Sequence, residues 1–338
     1  MKVSVVIPVH NKGPWLCACI ESVLAQSFAG FELIAVDDRS TDECLSILRS
    51  FTDPRIRIIA LDRNLGPAGA AQRGHDAATG EYIVRMDADD VMLPDRIARQ
   101  VSFMDMQPGL GASGGWMELL DQPGVLRKSA LTDRECRARS LFRIPIFQPT
   151  AIYRRTVLLD HAIQYDDDWP RYGEDWLFQL RLLRATQVAN QPLPLVRYRL
   201  GAQNASSTVD SFEGMRRVFR DVLAAHGLPH GPAEMRAHLH AAGAFPDQLK
   251  AADVAAAKHY LLRLREQAAE AGLADEEALR IAFKQAWDDL GYQMPRFGAR
   301  AIIAYMLRDG RPSMAKWRYL LSSLVKGARY EPMTERIR

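Results

Sequence analysis

Four short, mainly apolar runs alternate with segments of helical period in the first ninety residues of this chain. The runs are Val3–Val9, Phe31–Val36, Ile56–Leu61 and Tyr82–Met86. Val3–Val9 and Phe31–Val36 read as buried strands, the first on both faces, and the other two runs as a third and a fourth strand. Between them, Trp15–Ala25 carries Leu16, Ile20, Val23 and Leu24 at helical spacing. Ser40 or Thr41 is placed to cap a helix running to about Phe51, with Leu45 and Leu48 facing inward. The Gly-rich turn Asn64-Leu65-Gly66-Pro67 leads into a helix through Ala78. Strand and helix in strict alternation predict an α/β fold, a mainly parallel sheet with helices on both faces. Ligands of such sheets bind at the carboxyl ends of the strands. Three of those ends are polar, at His10-Asn11, Asp37-Asp38 and Asp87-Ala88-Asp89, so one acidic cleft is expected.

Beyond Pro94 the pattern weakens. A helix carrying Ile97, Val101 and Met104 is followed by a glycine-containing, poorly patterned stretch over 111–146. Phe147–Tyr153 and Leu193–Leu200 read as further strands, with a helix over Asp175–Leu183 between them. After Asn204-Ala205-Ser206-Ser207 the sequence turns Ala-, Leu- and Arg-rich without strand signals. A boundary near residue 208 therefore divides a catalytic domain, 1–208, from a helical extension, 209–338.

Composition bounds the remaining possibilities. The net charge of +3 is too small to argue for nucleic acid. It is unevenly spread: Pro295–Arg338 holds 10 Lys/Arg against 3 Asp/Glu. Such an excess suits packing, homodimerisation or peripheral contact with an anionic membrane face. Cys17, Cys19, Cys44 and Cys136 form no CxxC pair and read as reduced, buried thiols. The first residues lack the regions of a signal peptide, and no run reaches 18 apolar residues, which predicts a cytoplasmic protein. His226, His230, His238 and His240 are scattered among small residues and read as solvated or capping groups.

Three groups of acids carry the chemistry. Asp87 and Asp89, at i and i+2 of an extended segment, project to one side and suit Mg²⁺ or Mn²⁺ shared with a diphosphate. Asp38, at a strand-to-helix turn, is placed to accept from a nucleobase N–H or a ribose hydroxyl. Glu174 and Asp175 open a helix, where the helix dipole alone favours acids, and either is a candidate general base.

These residues together resemble the family 2 inverting glycosyltransferases of the GT-A fold. The resemblance runs from Val3 to about Ser207 as an ordered series. It begins with Val3-Ser4-Val5-Val6-Ile7-Pro8-Val9-His10-Asn11 and Val36-Asp37-Asp38-Arg39-Ser40-Thr41-Asp42. Asn64-Leu65-Gly66, Arg73-Gly74, Ala78-Thr79-Gly80-Glu81-Tyr82-Ile83, Asp87-Ala88-Asp89-Asp90 and Gly173-Glu174-Asp175 follow. It implies that Pro8 and Val9 line a nucleobase pocket, Asp38 bonds the base, Asp87 contacts the ribose and Asp89 ligates Mn²⁺ or Mg²⁺. Asp175 would be the base, with Glu174 as its substitute. The donor would be a nucleotide-diphosphate sugar, most simply a UDP-sugar, and the acceptor a saccharide or lipid-linked hydroxyl in surface polysaccharide synthesis.

The chain departs from the family pattern at three places. Ala71-Gln72 stands where the family often has Arg-Asn, Arg39 where it prefers Gly, and Gly201 where it often has a His that can ligate metal; water or Gln203 could compensate for the last. Two other readings are kept open. A sugar-nucleotide nucleotidyltransferase would want a Gly-rich basic loop after the first strand, and His10-Asn11-Lys12-Gly13-Pro14 is a poor one. A degenerate transferase fold used for binding would explain the changes at 71 and 201.

Overall fold

The side chains of β1, Val3–Val9, divide by parity between two buried layers, and its one polar side chain, Ser4, is buried with its hydroxyl donating to Glu32 Oε1 at 2.6 Å. Val3, Val5, Ile7 and Val9 enter one core with Leu16, Ile20, Val23, Leu48, Ile97, Val101 and Met104. Val6 enters the other with Ile34, Val36, Ile83, Phe178 and Leu182. Each of these side chains is at most 6% exposed. The protein is described here by a computed structural model covering residues 1–166, 169–170, 172–201, 211–245, 249–310 and 313–326. It divides into two units, Met1–Cys136 with Ile144–Val209, and Arg137–Arg143 with Asp210–Arg338.

The first unit follows the expected alternation through α1 (Gly13–Leu24), β2 (Phe31–Asp37), α2 (Cys44–Ser50), β3 (Ile56–Ala60), α3 (Gly66–Ala77) and β4 (Tyr82–Arg85). These first four strands pair in parallel, in the order β3-β2-β1-β4. Helix α3 lies so close to β1 that a Cβ on Gly74 would sit 2.2 Å from Cγ1 of Val6.

The sheet then becomes mixed. It continues through β5 (Val91–Met92), α4 (Arg96–Asp105), β6 (Leu110–Leu119), β7 (Gln122–Arg127), α5 (Asp133–Arg139), β8 (Ile152–Arg154), α6 (Arg155–Asp160), α7 (Glu174–Ala185) and β9 (Gln187–Tyr198). Beyond β4 the order is β8-β6-β9-β5, with β7 on β6. β8 runs antiparallel to β4 and β6, while β6 and β9 are parallel and carry register shifts. The stretch expected to be irregular therefore contributes two strands. The strand expected over Phe147–Tyr153 is instead a 3-10 turn, Gln148–Thr150, followed by the short β8. The cap expected from Ser40 or Thr41 is also absent: the residue before α2 is Glu43, and Asp42 Oδ1 accepts from Cys44 N.

The second unit holds α8 (Ser211–Ala225), α9 (Pro232–Ala241), α10 (Ala251–Glu270), α11 (Glu276–Gln293), α12 (Ala299–Met306) and α13 (Met314–Lys326). His238 and His240 are buried, against the expectation of solvated histidines. His238 bonds the Tyr260 hydroxyl and the Leu141 carbonyl, both at 2.9 Å. Cys17 is exposed, whereas Cys19, Cys44 and Cys136 are buried, and all four are free thiols.

Candidate active site

Side chains of the strand-end loops lace them together. Asn11 Oδ1 accepts from Thr41 N at 2.9 Å, Asn11 N donates to Ser40 Oγ at 3.2 Å, and Gly13 N donates to Asp42 Oδ2 at 2.9 Å. The polar residues after β2 thus brace the β1 loop. The bracing holds two non-glycine residues in the left-handed region, Asn11 at φ 52° and Arg39 at φ 58°. Such conformations cost about 1–2 kcal/mol each. Arg39, which stands where the family prefers Gly, is one of these two, and its guanidinium donates to the Asp62 carbonyl at 2.7 Å.

Asp38 is 3% exposed. Its Oδ1 accepts from Leu65 N at 2.6 Å and its Oδ2 from Gly66 N at 2.9 Å. The carboxylate therefore holds the Asn64–Gly66 turn at the start of α3. Asn64 Nδ2 completes the joint by donating to the Asp38 carbonyl at 3.0 Å. Pro8 is partly exposed at this end of β1. Val9 is 0% exposed in the core and its carbonyl accepts from Asp38 N at 2.8 Å.

The acidic residues after β4 lie on a turn, Asp90 N donating to Asp87 O at 3.3 Å, and not on an extended segment. Asp87 and Asp89 consequently meet different cations. Arg85 Nη2 lies 3.6 Å from Asp87 Oδ1, and Lys12 Nζ lies 2.5 Å from Asp89 Oδ2. The Asp87 side chain is 36% exposed and that of Asp89 11%, so Asp89 is not the open carboxylate its place at a strand end suggests. Asp90, 1% exposed, accepts from Arg199 N at 2.8 Å, while Arg199 Nε donates to Asp89 O at 3.1 Å. Beneath the turn, buried Arg96 donates to the Arg85 carbonyl at 2.7 Å and to Gln100 Oε1 at 2.9 Å.

Lys12, Arg85, Arg96 and Arg199 are functional candidates that the sequence reading missed. Only Lys12 carried a local signal. It stands just before helix α1, where a cation opposes the helix dipole.

Gly173, at φ 90°, starts α7, and it is the cap residue, so Asp175 in the first turn is not an N-cap. The φ requires glycine. Asp175 Oδ1 accepts from Trp176 N at 2.8 Å. Burial pushes the Asp175 carboxyl up to about 6, with the Trp176 bond and Arg85 opposing and the charge of Asp87 adding. Burial and the neighbouring Asp175 drive Glu174 well above the carboxylate range. Asp175 is thus the member of the pair that ionises near neutrality, in the electric field of the acidic turn.

At the departures, Ala71 is 2% exposed within α3 and Gln72 is tied to Tyr165 N at 2.9 Å. Arg73 is exposed and 3.9 Å from Asp76. Gln203 lies outside the described residues. Among the described residues no three His, Cys, Asp or Glu side chains are grouped to hold a metal ion. The donor set still suits a hard cation: Asp89 already draws an ammonium, and Asp87 is open to solvent. Mg²⁺ and Mn²⁺ are commonly held by one or two carboxylates, with diphosphate and water completing the shell.

The model of glycosyl transferase family 2 matches residues 4–160. Over 234 residues the chain is 36% identical to a putative glycosyltransferase, EpsE, of Bacillus subtilis, covering 64% of this chain and 83% of that one. It is 26% identical over 223 residues to WfgD of Escherichia coli, with coverage of 65% and 85%. WfgD is a UDP-Glc:alpha-D-GlcNAc-diphosphoundecaprenol beta-1,3-glucosyltransferase. Among solved structures, S. aureus TarS 1-349 in complex with UDP-GlcNAc superposes with a TM-score of 0.60 at 19% identity, over 98% of this chain and 93% of that one. The mannosyltransferase PcManGT of Pyrobaculum calidifontis, in complex with GDP-Man and Mn²⁺, gives 0.53 at 18%, over 96% and 86%. The α/β fold is of the GT-A type, with a helical C-terminal region.

Proposed function

The chain belongs to glycosyl transferase family 2, and from that premise we propose an inverting, metal-dependent transfer of a sugar from a UDP-sugar to a saccharide or lipid-linked hydroxyl. The observation that carries this reading is the placement of Asp175, half-buried in the first turn of α7 and within the electric field of Asp87 on the acidic turn that would hold the donor.

Pro8 and the Asn64–Gly66 turn braced by Asp38 would receive the nucleobase, and Asp87, the more exposed acid, the ribose. Asp89 would hold Mn²⁺ or Mg²⁺, which when bound stabilises charge on the departing diphosphate. Lys12 and Arg199 bring positive charge to the same end of the cleft, where they suit the diphosphate oxygens. Asp175 accepts the acceptor's hydroxyl proton. The oxygen then bonds to the anomeric carbon as the bond to the diphosphate breaks on the opposite face, which inverts the configuration.

The activity of WfgD supports a lipid-linked acceptor and a role in surface polysaccharide synthesis. A lipid-linked acceptor would bring a cytoplasmic enzyme to the inner face of the membrane. No helix among the described residues is long and apolar enough to cross one. A nucleotidyltransferase gains no support, because the first loop offers one lysine and Asp89 engages it.

Thermal shift with UDP and GDP, with and without Mn²⁺, tests the donor half of this proposal. A site-specific nucleotide at 100 times Kd stabilises by about 2.7 kcal/mol. The expected result is a Mn²⁺-dependent rise with UDP. The absence of a shift with either nucleotide would sink the proposal.

A further inference from the structure

The outward stripes of α12 and α13 carry large apolar side chains where a water-facing helix is ordinarily polar. Following α12, Ile303 is 49% exposed and Leu307, one turn on, 79%. Along α13, Met314 is 74% exposed, Leu321 47% and Val325 86%. These five are half of the ten large exposed apolar side chains among the described residues. The opposite stripes, with Ile302, Tyr305 and Leu320, are buried.

The charge of the same surface has one sign. Arg300 and Arg308 flank the α12 stripe, and Arg318 lies within that of α13; all three are exposed. The single acid between residues 295 and 326 is Asp309, and it is turned inward, 9% exposed and 2.7 Å from buried Lys316.

We propose that α12 and α13 form a docking surface for an anionic phospholipid bilayer. The apolar side chains enter the boundary between headgroups and acyl chains, and the arginines meet lipid phosphates. A second copy is a poorer occupant, because a two-fold contact would set this arginine-only surface against itself. None of these residues is assigned to the transfer chemistry, and the proposal stands whether the acceptor is soluble or lipid-linked.

Flotation of the full chain with phosphatidylglycerol-containing vesicles, against phosphatidylcholine alone, tests it. Two paired variants accompany the wild type, Leu307→Gln with Leu321→Gln, and Arg300→Gln with Arg318→Gln. All four side chains are exposed, so melting temperature and UDP–Mn²⁺ affinity should stay at wild-type values, which separates this test from that of the donor site. We expect binding to anionic vesicles only, weakened about tenfold or more by each pair and by roughly 0.5 M salt. Absence of flotation, or equal flotation by all three proteins, overturns the proposal. A dimer that the leucine pair dissociates, without flotation, gives the surface to a second copy and overturns it equally.

Discussion

Lys12 Nζ and Asp89 Oδ2 lie 2.5 Å apart, joining the start of α1 to the acidic turn after β4 across 77 positions of sequence. The lysine holds a positive charge at the carboxylate that would take the metal.

Asp89→Ala is expected to abolish Mn²⁺-dependent UDP binding. Loss of even a group supporting a metal ligand typically costs 10–100-fold in affinity, and loss of the ligand itself should reach at least the upper end, about 100-fold. Lys12→Met should leave Mn²⁺ binding in place and weaken UDP about tenfold, through one lost charge-assisted contact. Calorimetric titration of UDP with Mn²⁺ measures both. Unchanged affinity in Asp89→Ala would remove that residue from the metal site.

Asp38→Ala strips the acceptor from two backbone N–H groups, at Leu65 and Gly66. We expect a loss of roughly 2 kcal/mol together with weaker UDP binding as the turn loosens. Denaturant unfolding and UDP titration are the two measurements. Full stability with lost UDP affinity would assign Asp38 to the base alone; lost stability with normal affinity would leave it a brace.

Asp175→Asn should lower transfer about 10²–10⁴-fold while donor binding survives, because an amide cannot take the acceptor's proton. The variant should also be more stable. An ionised carboxylate whose pKa has moved from 3.8 to about 6 carries a cost of roughly 3 kcal/mol at neutral pH, which the amide avoids in large part. Melting temperature and turnover at saturating donor decide the matter. Near-normal turnover would move the base to Glu174.

The pH dependence of Asp175 has opposite signs for activity and stability. Its raised pKa means that the folded state keeps the proton up to about 6, whereas the unfolded chain releases it near 3.8. Stability from this group is therefore full below the lower value and is lost as pH rises through about 6. Transfer needs the ionised form, so kcat should fall about tenfold per pH unit below that value. Initial rates and melting temperatures between pH 4.5 and 8 would show opposing slopes, and a flat rate profile across about 6 would count against Asp175.

Strands β1, β2 and β4 were legible because burial on both faces writes a purely local signature, as the parity of Val3–Val9 shows; the half-exposed strand β3 was legible from its isoleucines, Ile56, Ile58 and Ile59. The polar strand ends and the helix start at Gly173-Glu174-Asp175 were legible too, since the residues that stop a strand or start a helix are adjacent in sequence. β6 was not. Its Gly111, Gly114 and Gly115 look like loop residues, yet a Cβ on Gly114 would stand 2.4 Å from Ile146 Cγ2, so neighbours distant in sequence demand the glycine. Nor could the sequence show that Asp38 spends both oxygens on a turn, or that Asp87 and Asp89 pair with separate cations. The Arg199 contacts depend on the two-residue strand β5 pairing with β9, more than a hundred residues away. Local patterning thus determined the layers and named the acids. Tertiary structure alone decided which cations face them, because Coulomb and hydrogen-bond partners are set by distance in space and leave no period in the sequence.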